Sequence, residues 1–207
     1  MTAPAPASRS TYDILPHGEE PDLGEHAPEE PPGKASSTRT VVEWVAIIGG
    51  ALLAALVIKT FLFQAFYIPS ESMLPTLEKQ DRVLVNKLSY RLHDINRGDV
   101  VVFERPPNEA GVIRDLIKRV VGLPGETVEA KDGKVFIDGE ALREPYLPRA
   151  TTTSTFGPEK IPAGHVWVMG DNRANSADSR VFGSISSSSV VGRAFVRVWP
   201  LNALGLL

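Results

Sequence analysis

Hydrophobic and polar positions divide the chain into three stretches. Residues 1–40 hold almost no large apolar side chains, whereas residues 44–58 form an unbroken apolar run. As an α-helix this run is about 22 Å long, and extension to residue 67 makes it about 36 Å, enough to cross a hydrocarbon core of about 30 Å. The pattern therefore predicts a polar tail over residues 1–40, one transmembrane helix over 41–67 and a folded body over 68–207.

Trp44, Phe66 and Tyr67 lie near the two ends of this apolar segment, where interfacial aromatic residues are expected. Two other interpretations fit less well. A buried helix of a soluble domain is disfavoured because the run is so uniformly apolar. A cleaved secretory signal would need an acidic n-region 40 residues long, whereas such regions are positively charged. The segment is therefore predicted to anchor the chain in the lipid bilayer.

Beyond residue 77 the chain consists of short segments rich in β-branched and aromatic residues. They cover residues 83–85, 100–103, 112–121, 135–137, 166–169 and 190–199. Asp132-Gly133 and Asp138-Gly139 are turn dipeptides that bracket the fourth segment, which predicts an antiparallel meander. No amphipathic helix alternates with these strands, so a parallel sheet is disfavoured. The prediction is a mainly β fold, with one antiparallel barrel or sheet domain behind a single N-terminal transmembrane helix.

Charge and composition exclude several classes of function. The first 40 residues contain seven prolines, seven acidic and three basic residues, so they carry −4, and the remaining residues carry about +1 of the total −3. A segment this polar cannot bury enough apolar surface to offset the conformational entropy lost on folding. The tail is therefore predicted to be disordered. The nearly neutral body has no basic run, which argues against nucleic-acid binding.

The chain contains no cysteine and only four scattered histidines. The lack of cysteine excludes disulfides, thiolate catalysis and cysteine-ligated zinc. None of the histidines lies in a metal-binding pattern such as H-E-x-x-H. We therefore expect no metal site.

Ser72 is the candidate nucleophile. It lies in the segment Pro-Ser-Glu-Ser-Met-Leu-Pro-Thr-Leu of residues 69–77, within five residues of Tyr67 and so at most about 17 Å of extended chain from the predicted membrane segment. A serine hydroxyl needs a base to take its proton, but the sequence has no G-x-S-x-G elbow and no histidine in a triad context. Taken alone, Ser70 and Ser72 could simply be turn or capping residues.

Lys118 is the candidate base. Alternation along the predicted strand places it on the same face as Leu116 and Val120. Loss of hydration among apolar neighbours disfavours the charged amine and lowers its pKa, so a neutral amine can accept a proton near neutral pH. The alternative is a lysine whose stem packs while its amine reaches water. The residues alone leave both interpretations open.

Three segments, residues 69–77, 116–126 and 170–180, resemble the conserved boxes of bacterial type I signal peptidases, and the resemblance covers about residues 60–200. The second segment reads Leu-Ile-Lys-Arg-Val-Val-Gly-Leu-Pro-Gly-Glu, and the third reads Gly-Asp-Asn-Arg-Ala-Asn-Ser-Ala-Asp-Ser-Arg. The resemblance implies a membrane-anchored serine–lysine endopeptidase that removes signal peptides from exported pre-proteins after small residues, at sites of Ala-x-Ala type. It implies Ser72 as the nucleophile, Lys118 as the base, an acyl-enzyme intermediate and no cofactor.

The resemblance also implies roles for residues around this pair. Ser70 and the backbone N–H of Ser72 are expected to form the oxyanion hole, where donors stabilise charge that develops only in the transition state. Ser176 is expected to orient the Lys118 amine through a hydrogen bond. Glu71 stands where many relatives carry a small residue, and its side chain is expected to point away from the two serines.

Further residues of the matched segments are given supporting roles. Asp178 is expected to pair with Arg180 and hold the third segment, in which Ala174 replaces an acidic residue of many relatives. Four apolar residues match positions that form shallow pockets for small substrate side chains: Phe66, Ile68, Leu116 and Ile117. Such pockets exclude long side chains by size.

The same resemblance implies a cytoplasmic tail and a catalytic domain on the extracytoplasmic face of the cell membrane. Basic residues lie on both sides of the apolar run, so charge bias alone leaves the orientation open. The expected partners are signal-peptide-bearing pre-proteins and the lipid bilayer, with no nucleic acid, and the chain is expected to be a monomer.

Two other functions are compatible with the predicted domain. One is a self-cleaving protease of the repressor type, against which the membrane span and the lack of a helix-turn-helix pattern argue. The other is a catalytically silent envelope protein that binds peptides with the same β domain. The presence of both Ser72 and Lys118 argues against that interpretation.

Overall fold

A computed structural model describes residues 37–58, 62–109 and 111–207. The sequence predicts a disordered tail over residues 1–40. Residues 1–36 of this tail lie outside the described ranges. Residues 37–40, assigned to the tail from sequence, instead form the first turn of a helix.

Helix α1 spans Ser37–Val57, which is about 31 Å at 1.5 Å per residue. Its residues 38–57 have a mean hydropathy of 2.1 over the most apolar window, and its side chains are exposed. Among the residues that the structure describes, it is the one helix long and apolar enough to cross a membrane. Arg39 and Glu43, one turn apart, form an exposed ion pair of 3.1 Å near its start.

The sequence prediction of one helix through residue 67 is wrong at its end. Residues Phe63–Tyr67 form strand β1, which pairs antiparallel with the strand Arg82–Asn86. Aromatic side chains favour a pleated surface, and the hydrogen-bonding edge of the neighbouring strand outweighs continuation of the helix. The apolar character of this stretch therefore belongs to the β domain.

The remaining elements are short. In chain order they are β2 Arg82–Asn86, α2 Ser89–Leu92, β3 Val100–Glu104, β4 Asp115–Gly122, β5 Thr127–Lys131, β6 Lys134–Ile137, β7 Glu140–Ala141, β8 Phe156–Lys160, β9 His165–Met169, α3 Ser179–Phe182, β10 Ile185–Ser186, a 3₁₀ turn Ser187–Ser189, β11 Val190–Trp199, a 3₁₀ turn Leu201–Ala203 and β12 Gly205–Leu206.

These strands form two antiparallel sheets, which confirms the predicted mainly β fold. The larger sheet has the order β1-β2-β11-β3-β4-β9-β10, with β12 paired to β11, and the smaller sheet has the order β7-β6-β5-β8. Strands β5, β6 and β7 follow one another as the predicted meander. Asp132 and Asp138, at its two turns, adopt positive φ of 50°, a conformation that Asp tolerates better than most residues.

Strand β4 is buried on both faces. Ile117 packs with Val100 and Val102 in one apolar cluster, whereas Val120 packs with Val101 and Phe103 in another. Neighbouring side chains of a strand point to opposite faces, so the predicted alternation along β4 is confirmed. Each buried apolar side chain of this kind contributes about 1.5–3 kcal/mol relative to exposure. Lys118 lies in the middle of this strand and is therefore held inside the domain.

Candidate active site

Lys118 and Ser72 meet in the interior although 46 residues separate them. Lys118 Nζ lies 2.8 Å from Ser72 Oγ and 2.9 Å from the carbonyl oxygen of Ile117, and donates to both. Ser72 is 8% exposed and Lys118 is 4% exposed. The structure thus removes the alternative in which the lysine stem packs while the amine reaches bulk water.

Two different elements position the pair. Strand β3 pairs with β4 so that Val101 lies opposite Lys118, which fixes the height of the amine along the sheet. Ser72 is fixed by its neighbours in the loop after β1, because Met73 and Leu77 are fully buried and the Leu77 N–H donates to the Met73 carbonyl at 2.9 Å. Buried apolar side chains therefore fix the position of Ser72, and the register between β3 and β4 fixes the position of Lys118.

Burial lowers the pKa of Lys118 from its ordinary 10.5 to about 8. Loss of hydration is the largest cause, and the guanidinium of Arg105 adds to it, whereas the carboxylates of Asp178 and Asp171 act in the opposite direction. The amine therefore loses its proton more than two pH units below an exposed lysine, and a large fraction is neutral at mildly alkaline pH.

Ser70 lies beside the nucleophile candidate, with its Oγ 3.3 Å from Ser72 Oγ. Both serines, Glu71 and Lys118 line one open cavity of about 390 Å³. The predicted oxyanion donors are thus placed on the same cavity as the pair.

Of the four apolar residues assigned to substrate pockets, the structure places Leu116 alone in the lining of this cavity. Ile68 and Ile117 are 1% and 8% exposed and belong to an apolar core cluster, against which Phe66 also packs. The reason is the strand alternation itself, since Leu116 and Lys118 share one face of β4 while Ile117 points to the other. The substrate-pocket roles of Phe66, Ile68 and Ile117 therefore stay predictions, since these side chains lie in or against the core cluster and not in the lining of this cavity.

Ser176 does not make the predicted hydrogen bond to Lys118. Within the described part of the chain, its buried Oγ has no hydrogen-bond partner, and the Lys118 amine donates to Ser72 and Ile117 instead. Ser176 packs against Gly170, where an added Cβ would lie 2.3 Å from the Ser176 Oγ. Its position is set by close packing in the loop after β9.

The loop of residues 170–180 is held in place by Asp178 and contacts the backbone of Ser72. Asp178 forms an ion pair of 2.8 Å with Arg180 and accepts from the Gly170 N–H at 2.9 Å. The Asn172 N–H donates to the Ser72 carbonyl at 3.1 Å. Gly170 must lack a side chain, because a Cβ there would lie 2.4 Å from the Ser72 carbonyl oxygen.

Arg119, the neighbour of Lys118, forms a buried ion pair with Asp171. The sequence analysis did not predict these contacts. Arg119 donates to Asp171 at 2.7 and 2.9 Å, and both side chains are almost fully buried. Thr76 Oγ1 also donates to Asp171, at 2.5 Å, and the Arg119 guanidinium lies 4.0 Å from the centre of the Tyr146 ring. One signal was available, since an arginine in a strand buried on both faces needs a buried partner. Within the described ranges, no group of three His, Cys, Asp or Glu side chains could hold a metal ion.

Comparison with known proteins places these segments in a family. The profile described as "Signal peptidase, peptidase S26" matches residues 41–199. The chain is 44% identical to "Signal peptidase I" of Leptolyngbya laminosa over 87% of this chain and 93% of that protein. It is 38% identical to "Signal peptidase I T" of Bacillus subtilis (strain 168) over 81% of this chain and 90% of that protein. A crystal structure of a signal peptidase I from Enterococcus faecalis V583 aligns with 49% of this chain and 97% of that chain, at 33% identity and a TM-score of 0.42.

Proposed function

The chain belongs to the signal peptidase family, peptidase S26, and is a serine peptidase; we propose that it cleaves N-terminal signal peptides from exported pre-proteins with Ser72 and Lys118. The observation that carries the proposal is the buried contact of 2.8 Å between Lys118 Nζ and Ser72 Oγ. Serine–lysine pairs are a known variant of triad chemistry. No histidine is needed, because a lysine with a lowered pKa supplies the base.

The reaction begins when Lys118 is neutral. The amine then accepts the Ser72 hydroxyl proton along the line of the present hydrogen bond, and Ser72 Oγ attacks the carbonyl carbon of the scissile peptide. Negative charge develops on the carbonyl oxygen, to which the Ser70 hydroxyl and the Ser72 backbone N–H donate. Removal of one such donor costs about 3–4 kcal/mol in other serine proteases.

Collapse of this intermediate breaks the peptide bond. The protonated Lys118 gives its proton to the leaving amine, and Ser72 remains as an ester of the signal peptide. Lys118 then takes a proton from a water molecule, whose oxygen attacks the ester, and returns it to Ser72. The protons balance over the cycle, and the chain's own residues suffice for each transfer.

Cleavage after small residues, at Ala-x-Ala sites, is the specificity we propose. The cavity beside Ser72 has a volume of about 390 Å³, and Leu116 and Ile113 are among the apolar residues that line it. A shallow apolar wall accommodates methyl groups and excludes long side chains by contact.

Helix α1 is proposed as the membrane anchor, with the catalytic domain on the extracytoplasmic face and the residues before α1 in the cytoplasm. The tether is short, because five residues separate the end of α1 at Val57 from the start of β1 at Phe63, about 17–18 Å of extended chain at most. We further propose that the protein works as a monomer in the lipid bilayer.

The test is cleavage of a defined substrate by the full chain solubilised in detergent. The substrate is a pre-protein with one Ala-x-Ala site, and the product is identified by N-terminal sequencing. A single new N-terminus directly after the second alanine is expected, and Ser72→Ala is the matched control. Cleavage elsewhere, or equal cleavage by the control variant, contradicts the proposal.

A further inference from the structure

A second cavity, of about 520 Å³, lies beside the smaller sheet and is strongly basic. Four of its lining side chains are cations, Lys134, Arg143, Arg149 and Arg173, and its lining contains one carboxylate, Glu144. The reaction described above uses none of these five residues. A concentration of like charge around one cavity raises the local potential and attracts anions.

The single carboxylate neutralises only one of the cations. Arg173 is buried, forms an ion pair with Glu144 and donates to Thr153 Oγ1 at 3.0 Å. The side chains of Lys134, Arg143 and Arg149 are exposed, and none of them has an ion-pair or hydrogen-bond partner among residues 37–58, 62–109 and 111–207. The cavity therefore presents three uncompensated positive charges.

This basic cavity borders the segments that hold the candidate active site. Arg173 follows Asn172, whose backbone N–H donates to the Ser72 carbonyl at 3.1 Å. On the other side, Tyr146 lies under Arg119, the neighbour of Lys118, and its hydroxyl donates to Glu144 at 2.6 Å. Residues 172 and 173 thus connect the Ser72 backbone to the lining of the basic cavity.

The shape of the surface favours a polypeptide over a small anion. Residues 151–155 lie outside every helix and strand and lead into β8, which is an edge strand of the smaller sheet. Thr153 and Arg173 line both the basic cavity and an adjoining one of about 620 Å³. The free edge of β8 is suited to pairing with an extended chain, and guanidinium groups are suited to carboxylates.

We propose that this basic cavity is an exosite that binds acidic side chains of the mature segment of the pre-protein, the part that follows the cleavage site. The proposal rests on the proposed function. A signal peptide has a positively charged n-region, an apolar middle and small residues at its end. The cations of the cavity repel the first part and find no opposite charge in the other two, so the mature segment is the part of the substrate that can carry complementary charge.

The test compares two pre-proteins with the same signal peptide and the same cleavage site. One carries several Asp and Glu residues early in the mature segment, and in the other these are Asn and Gln. The enzymes are the full chain in detergent, the double variant Arg143→Gln/Arg149→Gln, and the control Arg91→Gln, which removes an exposed cation of α2 outside this cavity.

We expect wild-type and Arg91→Gln enzyme to cleave the acidic substrate with a KM about three- to tenfold lower than that of the neutral one, as two surface ion pairs allow. The double variant is expected to lose this difference through a higher KM for the acidic substrate, with kcat unchanged. The preference should also shrink at about 0.5 M salt, because exposed charges are screened.

Several outcomes overturn the proposal. Equal KM values for both substrates with wild type remove the exosite while leaving the proposed function intact, whereas failure to cleave either substrate removes the proposed function itself. A rise of KM for both substrates in the double variant indicates a general structural role. If the double variant keeps the preference but loses binding to vesicles of anionic phospholipid, the cavity recognises lipid headgroups and the proposal is wrong.

Discussion

Lys118 Nζ donates to Ser72 Oγ at 2.8 Å inside a domain where both side chains are less than one tenth exposed. A charged amine in such a place has lost most of its hydration and keeps two acceptors, Ser72 Oγ and the Ile117 carbonyl. Burial therefore favours a lysine that gives up its proton readily, and the contact aligns the lone pair of the neutral amine with the hydroxyl.

Ser72→Ala and Lys118→Ala should each lower kcat/KM by at least about 10⁴-fold, because residues that act as one proton-transfer unit are strongly non-additive. The double variant should be no worse than either single one. Cleavage of a purified pre-protein measures the rates, and far-UV circular dichroism checks that the sheets remain. Substantial turnover by either single variant, free of contaminating host peptidase, would remove the proposed dyad.

The pH dependence of kcat/KM should show an acidic limb with a midpoint near the Lys118 pKa of about 8. Activity should rise with pH through this region, since the free enzyme must lose the amine proton before Ser72 can attack. Arg105→Gln should move the midpoint upward, because the guanidinium lowers this pKa. A midpoint near 6.5, the ordinary histidine value, or no shift in the variant would contradict the assignment.

Ser176→Ala should leave kcat/KM within about tenfold of wild type and should not lower the free energy of unfolding. The reason is that the variant removes a buried hydroxyl without a partner in the described residues, and an unsatisfied buried group costs about 1–3 kcal/mol. Steady-state cleavage and thermal unfolding measure the two effects. A loss of 100-fold or more would instead support the contact with Lys118 that the sequence predicted.

Asp171→Asn should destabilise the protein by about 3–5 kcal/mol, because it leaves the buried Arg119 guanidinium without its carboxylate. Glu104→Gln is the control, since Glu104 forms an ion pair of 3.0 Å with Arg114 in which both side chains are mostly exposed. Its effect should stay below about 1 kcal/mol. Equal loss of thermal stability in the two variants would show that burial does not make loss of the Arg119–Asp171 ion pair more destabilising than loss of an exposed one.

The sequence predicted those features that depend on local patterns. Alternation along a strand places Lys118 among apolar neighbours whatever the rest of the fold, and the turn dipeptides of the meander act within a few residues. The meeting of Ser72 with Lys118 was predicted only through the family resemblance, because no local rule relates positions 46 residues apart.

Features set by packing between distant segments were missed. Phe63–Tyr67 is apolar enough to extend a membrane helix, and only the presence of β2 as a pairing partner makes it a strand. Whether the Ser176 hydroxyl reaches a hydrogen-bond partner depends on how tightly the loop after β9 packs against Gly170. The contact between Arg119 and Tyr146 joins strand β4 of the larger sheet to the loop between β7 and β8, and nothing in either local pattern indicates the other.

The lowered pKa of Lys118 also determines how the free energy of unfolding changes with pH. Below pH 8 both the folded and the unfolded chain hold the proton, and the folded state bears the penalty of a buried charge. The penalty shrinks as pH rises from about 8, the folded value, to 10.5, the ordinary value, and it is absent above 10.5. This difference between the folded and the ordinary pKa of Lys118 corresponds to a free-energy penalty of at most about 3 kcal/mol.

Lys118→Met should therefore be inactive yet more stable than wild type near neutral pH, with an advantage that narrows between pH 8 and 10.5. The gain should stay below the full penalty, because methionine leaves the Ile117 carbonyl without its donor. The melting temperature of the full chain in detergent, followed through the fluorescence of the buried Trp167, measures it, with exposed Lys160→Met as the control. A clear drop in melting temperature at pH 7 would instead favour a Lys118 that is held as a charged, paired group, and would contradict a buried neutral lysine.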